Sequence, residues 1–248
     1  MKVHPELTVR RVAAVAAACL CAPSSSFAEV PVLVPFSVAS QELPTPWHVV
    51  GLPRQTKPFT RFSIVDVDGR SALRVEAQES YGNAIHPLRV NESGLKLAWS
   101  WRVDALVNRS NLRTRSGDDV ALKVCVLFDE PLHNVPFIER QVLRIAQSQT
   151  SEPLPAATVC YVWDAELAPG TFLNNAFTKR LRYVVLQSGP EHLRQWVQER
   201  RDVGADFMRL FGTEVSVLPT IVGVAVGADS DNTHGHSLGF VTDLAFQP

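Results

Sequence analysis

The sequence predicts a mainly β protein, an antiparallel β-sandwich of the jelly-roll type, with a helical insertion near residues 188–212. Three observations support this fold class. Apolar and polar residues alternate with period two in about ten short stretches, which is typical of half-buried strands. Helix-length periodic segments are few. Hydrophobic residues make up 46% of the chain, which is enough for a large core.

Residues 1–28 have the features of a cleaved secretory signal peptide. A basic start, "MKVHPELTVRR", precedes "VAAVAAACLCA", an apolar stretch too short to span a bilayer. Small residues then occupy Ser26 and Ala28, as expected for cleavage after Ala28. We therefore predict a mature β-sandwich domain over residues 29–248, periplasmic or secreted. No later stretch is long and apolar enough to span a membrane.

The charge balance argues against a nucleic-acid partner. The full chain has a formal net charge of −1, and removal of residues 1–28 changes it to −3, because three basic residues and one acidic residue leave. A nucleic-acid-binding domain would carry a basic excess or a basic stripe. We therefore expect no nucleic-acid partner.

Two cysteines remain after signal cleavage, Cys125 and Cys160. Period-two alternation in "DDVALKVCVLFD" places Cys125 on the same strand face as Asp119 and Lys123, opposite an apolar face. In an oxidising compartment a bridge between neighbouring strands would stabilise the fold by roughly 3 to 4 kcal/mol. Two unpaired cysteines that pack as small hydrophobic groups are the alternative.

Two hairpin and strand patterns are clear. In "FTRFSIVDVDGRSALRVEA" the dipeptide Asp68-Gly69 supplies the positive φ angles of a tight hairpin turn. In "LKLAWSWRVD" Trp99 and Trp101 fall on one face together with other apolar residues. Large rings on one strand face usually belong to the core, so we predict that this pair is buried.

Helical periodicity occurs in three places. In "SGPEHLRQWVQERR" Ser188 and Glu191 have the spacing of a capping box. The following "DVGADFMRLFG" has helical spacing and stops at Gly212, and these two segments make the predicted insertion at 188–212. A shorter helix is predicted in "VPFIERQVLRIAQ".

The polar stretch "GADSDNTHGH" at 227–236 is the first candidate site. Oxygen donors suited to a structural Ca²⁺ are Asp229, Asp231, Asn232 and Thr233. A helix-loop-helix calcium loop has Gly at its sixth position and Glu at its twelfth. Counted from Asp229, these positions are His234 and Phe240, so the stretch does not fit that pattern. Hydrogen bonding to sugar hydroxyls and simple capping of a turn are the alternatives. His234 and His236 could also hold a transition metal, although no third ligand is specified.

Adjacent carboxylates at Asp118 and Asp119 form a second candidate site. Neighbouring residues on a strand face opposite ways, so the two cannot serve together as a general acid and base. One of them could act with Asp229 or Asp231, and a solvated strand entry is the alternative. Motifs for a catalytic nucleophile and for nucleotide phosphates are missing from the sequence.

Several of these pieces occur in an order that resembles an exported bacterial family catalogued as domain of unknown function 3047. The resemblance spans about residues 36–246. The matching residues are Trp99, Trp101, Asp118, Asp119, Trp163, Gly170, Asn174 or Asn175, Asp206, Gly212, Asp229, Asp231, Asn232 and Thr233. It implies a jelly-roll-like sandwich akin to carbohydrate-binding modules, and it implies no particular activity.

The predicted function is non-catalytic binding of a glycan or envelope polysaccharide. Trp47 lies among prolines and is a candidate for an exposed stacking platform. The candidate ligand-binding residues are Trp47, Trp163, Asp118, Asp119, Asn174, Asn175, Asp231 and Asn232. A polysaccharide-acting hydrolase or lyase with paired carboxylates, or an envelope assembly factor without a small ligand, are the alternatives.

Overall fold

The computed structural model describes residue 1 and residues 30–150 and 152–248. The predicted signal peptide, residues 1–28, lies outside the described residues apart from Met1. The strands are β1 His48–Val50, β2 Arg61–Val67, β3 Arg70–Gln78, β4 Tyr81–Val90, β5 Lys96–Ala105, β6 Leu122–Asp129, β7 Ala157–Asp164, β8 Phe172–Asn174, β9 Leu181–Ser188, β10 Val197–Asp202, β11 Thr220–Asp229 and β12 His236–Gln247. The α-helices are α1 Phe137–Gln147 and α2 Val203–Phe211.

The strands form two sheets that pack face to face, which confirms the predicted β-sandwich. The large sheet has seven strands in the order β1-β4-β11-β6-β7-β9-β8, and the small sheet has five in the order β10-β5-β12-β3-β2. Neighbouring strands run antiparallel except β7 and β9, which pair in parallel. The predicted hairpin at Asp68-Gly69 joins β2 to β3, and both turn residues have positive φ.

Aromatic side chains fill the space between the sheets. Trp99 and Trp101 on β5 meet edge to face with centroids 5.5 Å apart, and both are buried as predicted. Tyr161 and Trp163 on β7 reach across from the large sheet, with centroids 5.3 Å from Trp99 and 5.8 Å from Trp101, respectively. Such tilted and edge-to-face pairs stabilise a core beyond the area they bury.

The predicted helical insertion near 188–212 is confirmed in its second half and wrong in its first half. Helix α2 begins after Asp202, whose side chain accepts a hydrogen bond from the Ala205 N–H. The preceding segment forms a turn and then β10, which pairs antiparallel with β5 from Val197 to Asp202. Pairing with an open sheet edge satisfies the backbone of this segment, and that tertiary contact overrides its helical spacing.

Trp47 is buried, so the predicted exposed platform at this position is wrong. Its ring is 4% exposed and lies 5.0 Å from Phe36 and 5.1 Å from His86, measured between centroids. The indole N–H donates to the Val34 carbonyl at 2.8 Å. The segment before β1 therefore packs its aromatic residues into the core.

No helix among the described residues is long and apolar enough to cross a membrane.

Candidate ligand-binding cleft

The outer face of the large sheet carries a second, smaller apolar cluster with a disulfide at its centre. The sulfurs of Cys125 on β6 and Cys160 on β7 are 2.09 Å apart, in directly paired positions. The sequence left open whether this bridge forms, and the structure contains it. On the neighbouring strands, the residues paired in register with this disulfide are Ala225 and then Ile85 on one side and Tyr183 on the other.

Helix α1 lies over this outer face. Leu143 is its one fully buried residue among those described, and it packs with Val135 and Ala156. The Arg180 guanidinium donates from Nε to the Glu139 carboxylate at 2.8 Å, which fastens the helix to the start of β9. The helix predicted in "VPFIERQVLRIAQ" is thus confirmed, and it roofs a cleft.

The cleft between α1 and the sheet has a volume of about 810 Å³. Aliphatic side chains dominate its walls, namely Val50, Leu52, Ile85, Leu127, Val142, Leu143, Leu154 and Leu181. The disulfide and Ala225 form part of the floor, and Phe137 and Phe177 add two aromatic rings. Polar side chains are fewer, and they include Tyr81, Asn83, Lys123, Thr158, Thr178 and Lys179.

A buried ion pair lies beside the cleft, which Lys123 lines. The Lys123 ammonium group lies 3.1 Å from the Asp229 carboxylate, and their side chains are 2% and 6% exposed. The other Asp229 oxygen accepts a hydrogen bond from the Val120 N–H at 2.9 Å. The Tyr81 ring centroid lies 4.8 Å from the Lys123 ammonium, a cation–π contact that adds to its stabilisation.

Both members of this pair carry their charges at neutral pH. Burial is the largest single influence on Lys123 and lowers its pKa, but Asp229, Tyr81 and Asp118 together outweigh it, so the net pKa is raised. Burial raises the pKa of Asp229 to about 6, and the Lys123 ammonium opposes that rise. An ion pair in so dry a place needs both partners, since a lone buried charge is very costly.

Asp118 lies beside this pair in a network of its own. Its carboxylate accepts hydrogen bonds from the Asn175 amide and from the Tyr183 hydroxyl, the latter at 3.3 Å. Burial, and next the negative charge of Asp229, raise the pKa of Asp118 to about 7. The Asp118 carboxyl group therefore keeps its proton to a higher pH than a solvated aspartate does.

Asp119 fixes the loop between β11 and β12. Its carboxylate accepts hydrogen bonds from the backbone N–H and side-chain amide of Asn232, at 3.2 and 3.1 Å. It also accepts from the N–H and hydroxyl of Thr233, at 2.7 and 2.6 Å. Asp119, which lies just before β6, therefore holds the polar loop in place. Capping of the loop by its own Asp and Asn side chains, the alternative considered from the sequence, does not include this contact.

The predicted calcium ligands do not converge on one point. Asp229 faces the Lys123 ammonium, while Asn232 and Thr233 donate to Asp119. Within residues 30–150 and 152–248, no group of three or more histidine, cysteine or acidic residues is arranged to hold a metal ion. The calcium site stays a prediction, and these contacts give Asp229, Asn232 and Thr233 another role.

The two histidines of the loop have acidic neighbours. His234 Nδ1 lies 3.1 Å from Glu79, and His236 Nε2 lies 3.4 Å from Glu76. These pairs fasten the loop and the start of β12 to β3 and the turn after it.

The predicted ligand-binding residues divide into three groups. Asp118, Asp119, Asn175 and Asn232 meet in the polar network beside the cleft, although they are far apart in sequence. Trp47 and Trp163 point into the core, with Trp163 fully buried. Asn174 and Asp231 make no side-chain hydrogen bond among the described contacts, and Asp231 keeps one buried carboxylate oxygen without a partner.

Sequence reasoning missed the cleft and its walls. The available signal was Lys123, a charged residue in the middle of an apolar strand, on the same face as Cys125. A lysine at a buried strand position requires a carboxylate partner, which points to a polar group on a neighbouring strand. The position of α1 over the sheet has no comparable signal, because it depends on tertiary packing.

Several solved structures are similar to this chain at low sequence identity. A family 12 xyloglucanase from Bacillus licheniformis in complex with ligand has a TM-score of 0.42 at 9% identity, covering 81% of this chain and 93% of that chain. The xyloglucanase domain of NopAA, a type three effector from Sinorhizobium fredii in complex with cellobiose, has a TM-score of 0.39 at 8% identity, covering 82% and 98%. The Trichoderma harzianum endoglucanase 3 from family GH12 has a TM-score of 0.37 at 10% identity, covering 83% and 100%.

No curated protein matches the chain. The family described as "Protein of unknown function (DUF3047)" matches residues 45–245, which confirms the resemblance drawn from the ordered motifs. That match spans most of the chain, and it includes every strand of the large sheet and helix α1. The chain belongs to the DUF3047 family.

Proposed function

We propose that this protein is a non-catalytic binding protein, and that its ligand is an amphiphile whose aliphatic part lies in the cleft beneath α1. The observation that carries the proposal is a preformed cleft of about 810 Å³ with mainly aliphatic walls. Ligand pockets of small molecules fall in this size range and combine apolar walls with a few placed polar groups. The sequence predicts a periplasmic or secreted protein, so we expect it to meet such a ligand in the cell envelope or outside the cell.

The chemistry of the walls favours an aliphatic chain as the buried part. Side chains such as Leu127, Leu154 and Leu181 offer no hydrogen bonds, so a polar ligand part placed against them would lose its water without compensation. An alkyl chain loses nothing in this exchange and gains about 0.8 kcal/mol for each buried methylene. The aliphatic walls therefore favour a chain of methylenes.

The ends of the cleft can accommodate a polar head. Asn83 donates from its amide to the Tyr81 hydroxyl at 3.2 Å, next to Lys123, and both side chains line the cleft. Thr178 and Lys179 line it in the segment before β9. These groups supply hydrogen bonds for a head group that the aliphatic walls cannot supply.

The carboxylates support binding rather than catalysis. Asp118 and Asp229 are desolvated, as an acid and base pair would require, but neither lines the cleft. Their oxygens are occupied by Asn175, Tyr183, Lys123 and the Val120 N–H, in contacts that hold neighbouring strands and loops together. A catalytic carboxylate has to reach the substrate, which these two do not.

A glycan is the second candidate ligand, and one observation favours it. The rings of Phe137 and Phe177 line the cleft and are 67% and 52% exposed. Flat apolar rings can stack on the C–H faces of sugars, with hydroxyls bound by groups such as Asn83. In this case the sugar would lie across the mouth of the cleft rather than deep under α1.

Binding of a dansyl-labelled fatty acid to the purified protein tests the proposal. We expect fluorescence enhancement with one site per chain, displaced by an unlabelled fatty acid and unaffected by soluble oligosaccharides. The variant Ala146→Trp fills the cleft from α1 and should weaken binding by about tenfold or more. The matched control Gln141→Trp changes a position on the same helix that does not line the cleft, and it should bind like the unaltered protein.

Two outcomes would count against the aliphatic ligand. Equal binding by Ala146→Trp and Gln141→Trp, with circular dichroism showing both folded, would place the probe outside the cleft. Displacement by an oligosaccharide, and loss of that effect in Phe177→Ala, would make the glycan the ligand instead.

A further inference from the structure

Helix α1 carries an apolar stripe that stays exposed to solvent instead of packing against the sheet. Ile138, Val142 and Ile145 follow helical spacing along one face and are 76%, 56% and 59% exposed. Phe137 adds a ring at the start of the helix. A helix at the surface of a globular protein normally turns such a stripe towards the core. Here only Leu143 is buried.

This apolar face is continuous with the mouth of the cleft. Phe137, Ile138 and Val142 line the cleft and also remain exposed. Leu52 and Phe177, 45% and 52% exposed, line it from two other segments. A contiguous exposed apolar patch of this kind marks a surface that another apolar body covers.

The charges around the patch are basic. Arg144 on α1 and Lys179 beside the cleft are exposed, and Arg54 is exposed next to the cleft-lining Leu52. The single acidic residue of α1, Glu139, is engaged by Arg180 at 2.8 Å and also lies 3.9 Å from the Lys179 ammonium. This rim contrasts with the whole chain, which has a net charge of −1. An anionic surface therefore complements it.

We propose that the protein docks on a bilayer rich in anionic lipid through the exposed face of α1 and the mouth of the cleft. Exposed apolar side chains on a helix with basic neighbours are the features of an interfacial helix, which inserts its apolar face at the level of the head groups. Anionic lipids attract the flanking basic residues. Docking in this orientation opens the cleft towards the lipid, and this last step rests on the ligand proposed above.

Flotation of the purified protein with vesicles tests the docking. We expect co-flotation with vesicles of phosphatidylglycerol and phosphatidylcholine, weaker flotation with phosphatidylcholine alone, and loss at high salt. The variant Ile138→Ser/Ile145→Ser should reduce binding by about fivefold or more, since two exposed apolar side chains are lost. The variant Arg144→Gln/Lys179→Gln should bind the two vesicle types alike.

The control Val32→Ser/Val38→Ser alters two valines that are 78% and 50% exposed, in a segment that does not line the cleft. It should float like the unaltered protein. Equal flotation of the Ile138→Ser/Ile145→Ser variant and this control would overturn the proposal, as would no flotation of the unaltered protein. A dimer in sedimentation velocity that dissociates in the Ile138→Ser/Ile145→Ser variant, without flotation, would assign the patch to a second copy instead.

Ala146→Trp separates docking from ligand uptake. Its tryptophan fills the cleft and leaves the exposed face of α1 unchanged, so this variant should lose the fatty acid probe and still float. If the unaltered protein binds the fatty acid probe but does not float with the vesicles, the docking proposal is overturned and the ligand proposal stands.

Discussion

The two faces of the large sheet use the same strands for different purposes. The inner face meets the small sheet with aromatic rings such as Tyr161 and Trp163, which are fully buried. The outer face carries a disulfide, the buried ion pair Lys123–Asp229 and a cleft under α1. The inner face therefore stabilises the fold through close packing of aromatic rings. The outer face buries an ion pair beside a cleft that a ligand can fill.

The largest expected effect comes from the ion pair of the outer face. Lys123→Met leaves the Asp229 carboxylate buried without its counter-ion, and should lower the free energy of unfolding by about 3 to 5 kcal/mol. The double variant Lys123→Met/Asp229→Asn should recover part of this loss, because no charge is then buried. Urea unfolding of the three proteins measures both effects. If Lys123→Met leaves the free energy of unfolding unchanged, the charge pair is solvated.

The disulfide should come next. Cys125 and Cys160 are 35 residues apart, and a loop of this length predicts a loss of about 4 kcal/mol when both become alanine. The expected cause is the greater freedom of the unfolded chain. Urea unfolding of the unaltered protein, with and without reductant, and of the Cys125→Ala/Cys160→Ala variant measures this loss. A loss confined to ligand binding would instead assign the bridge to the shape of the cleft floor.

The pH dependence of stability should reveal Asp118. Its pKa rises from 3.8 to about 7 on folding, so the folded protein binds this proton more tightly than the unfolded chain. Its contribution to stability is complete below the lower value and is lost as the pH rises to the upper one. Asp118→Asn should therefore gain stability relative to the unaltered protein as the pH rises from about 4 to about 7. Asp229 contributes in the same direction and is common to both proteins.

If the difference in the free energy of unfolding between Asp118→Asn and the unaltered protein does not change with pH across that range, the pKa of Asp118 is not raised by burial. Asp104→Asn offers a control, because the Asp104 carboxylate is paired with Arg102 at 2.6 Å on the small sheet.

The smallest expected effect is that of calcium. Because the Lys123 ammonium already faces Asp229, and Asn232 and Thr233 donate to Asp119, we expect calcium to shift the melting temperature by less than about 1 °C. Thermal unfolding after chelation and after return of calcium checks this. A rise of several degrees that Asp231→Ala abolishes would restore the calcium site predicted from the sequence.

The contrast between the faces also explains what the sequence could predict. The inner face follows from alternation, since Trp99 and Trp101 recur with period two among apolar neighbours. The hairpin follows from the local chemistry of Asp68-Gly69, and α2 follows from helical spacing that stops at Gly212. These features depend on a few residues close together in the chain.

The features that sequence reasoning got wrong or missed depend on distant partners. The segment before α2 becomes a strand because the edge of β5 is open to it. Trp47 is buried because Phe36 and His86 surround it. The cleft exists because α1 crosses the outer face, where Arg180 holds Glu139. None of these partners is visible from local spacing.

Identification of the small molecules that accompany the protein tests the central claim most directly. The protein, expressed from its full sequence including residues 1–28 and purified without detergent, would be analysed by native mass spectrometry together with Ala146→Trp and Gln141→Trp. We predict one bound molecule with an aliphatic chain on the unaltered protein and on Gln141→Trp, and none on Ala146→Trp. The same occupancy on all three proteins, or an oligosaccharide as the bound molecule, would contradict an aliphatic ligand in the cleft.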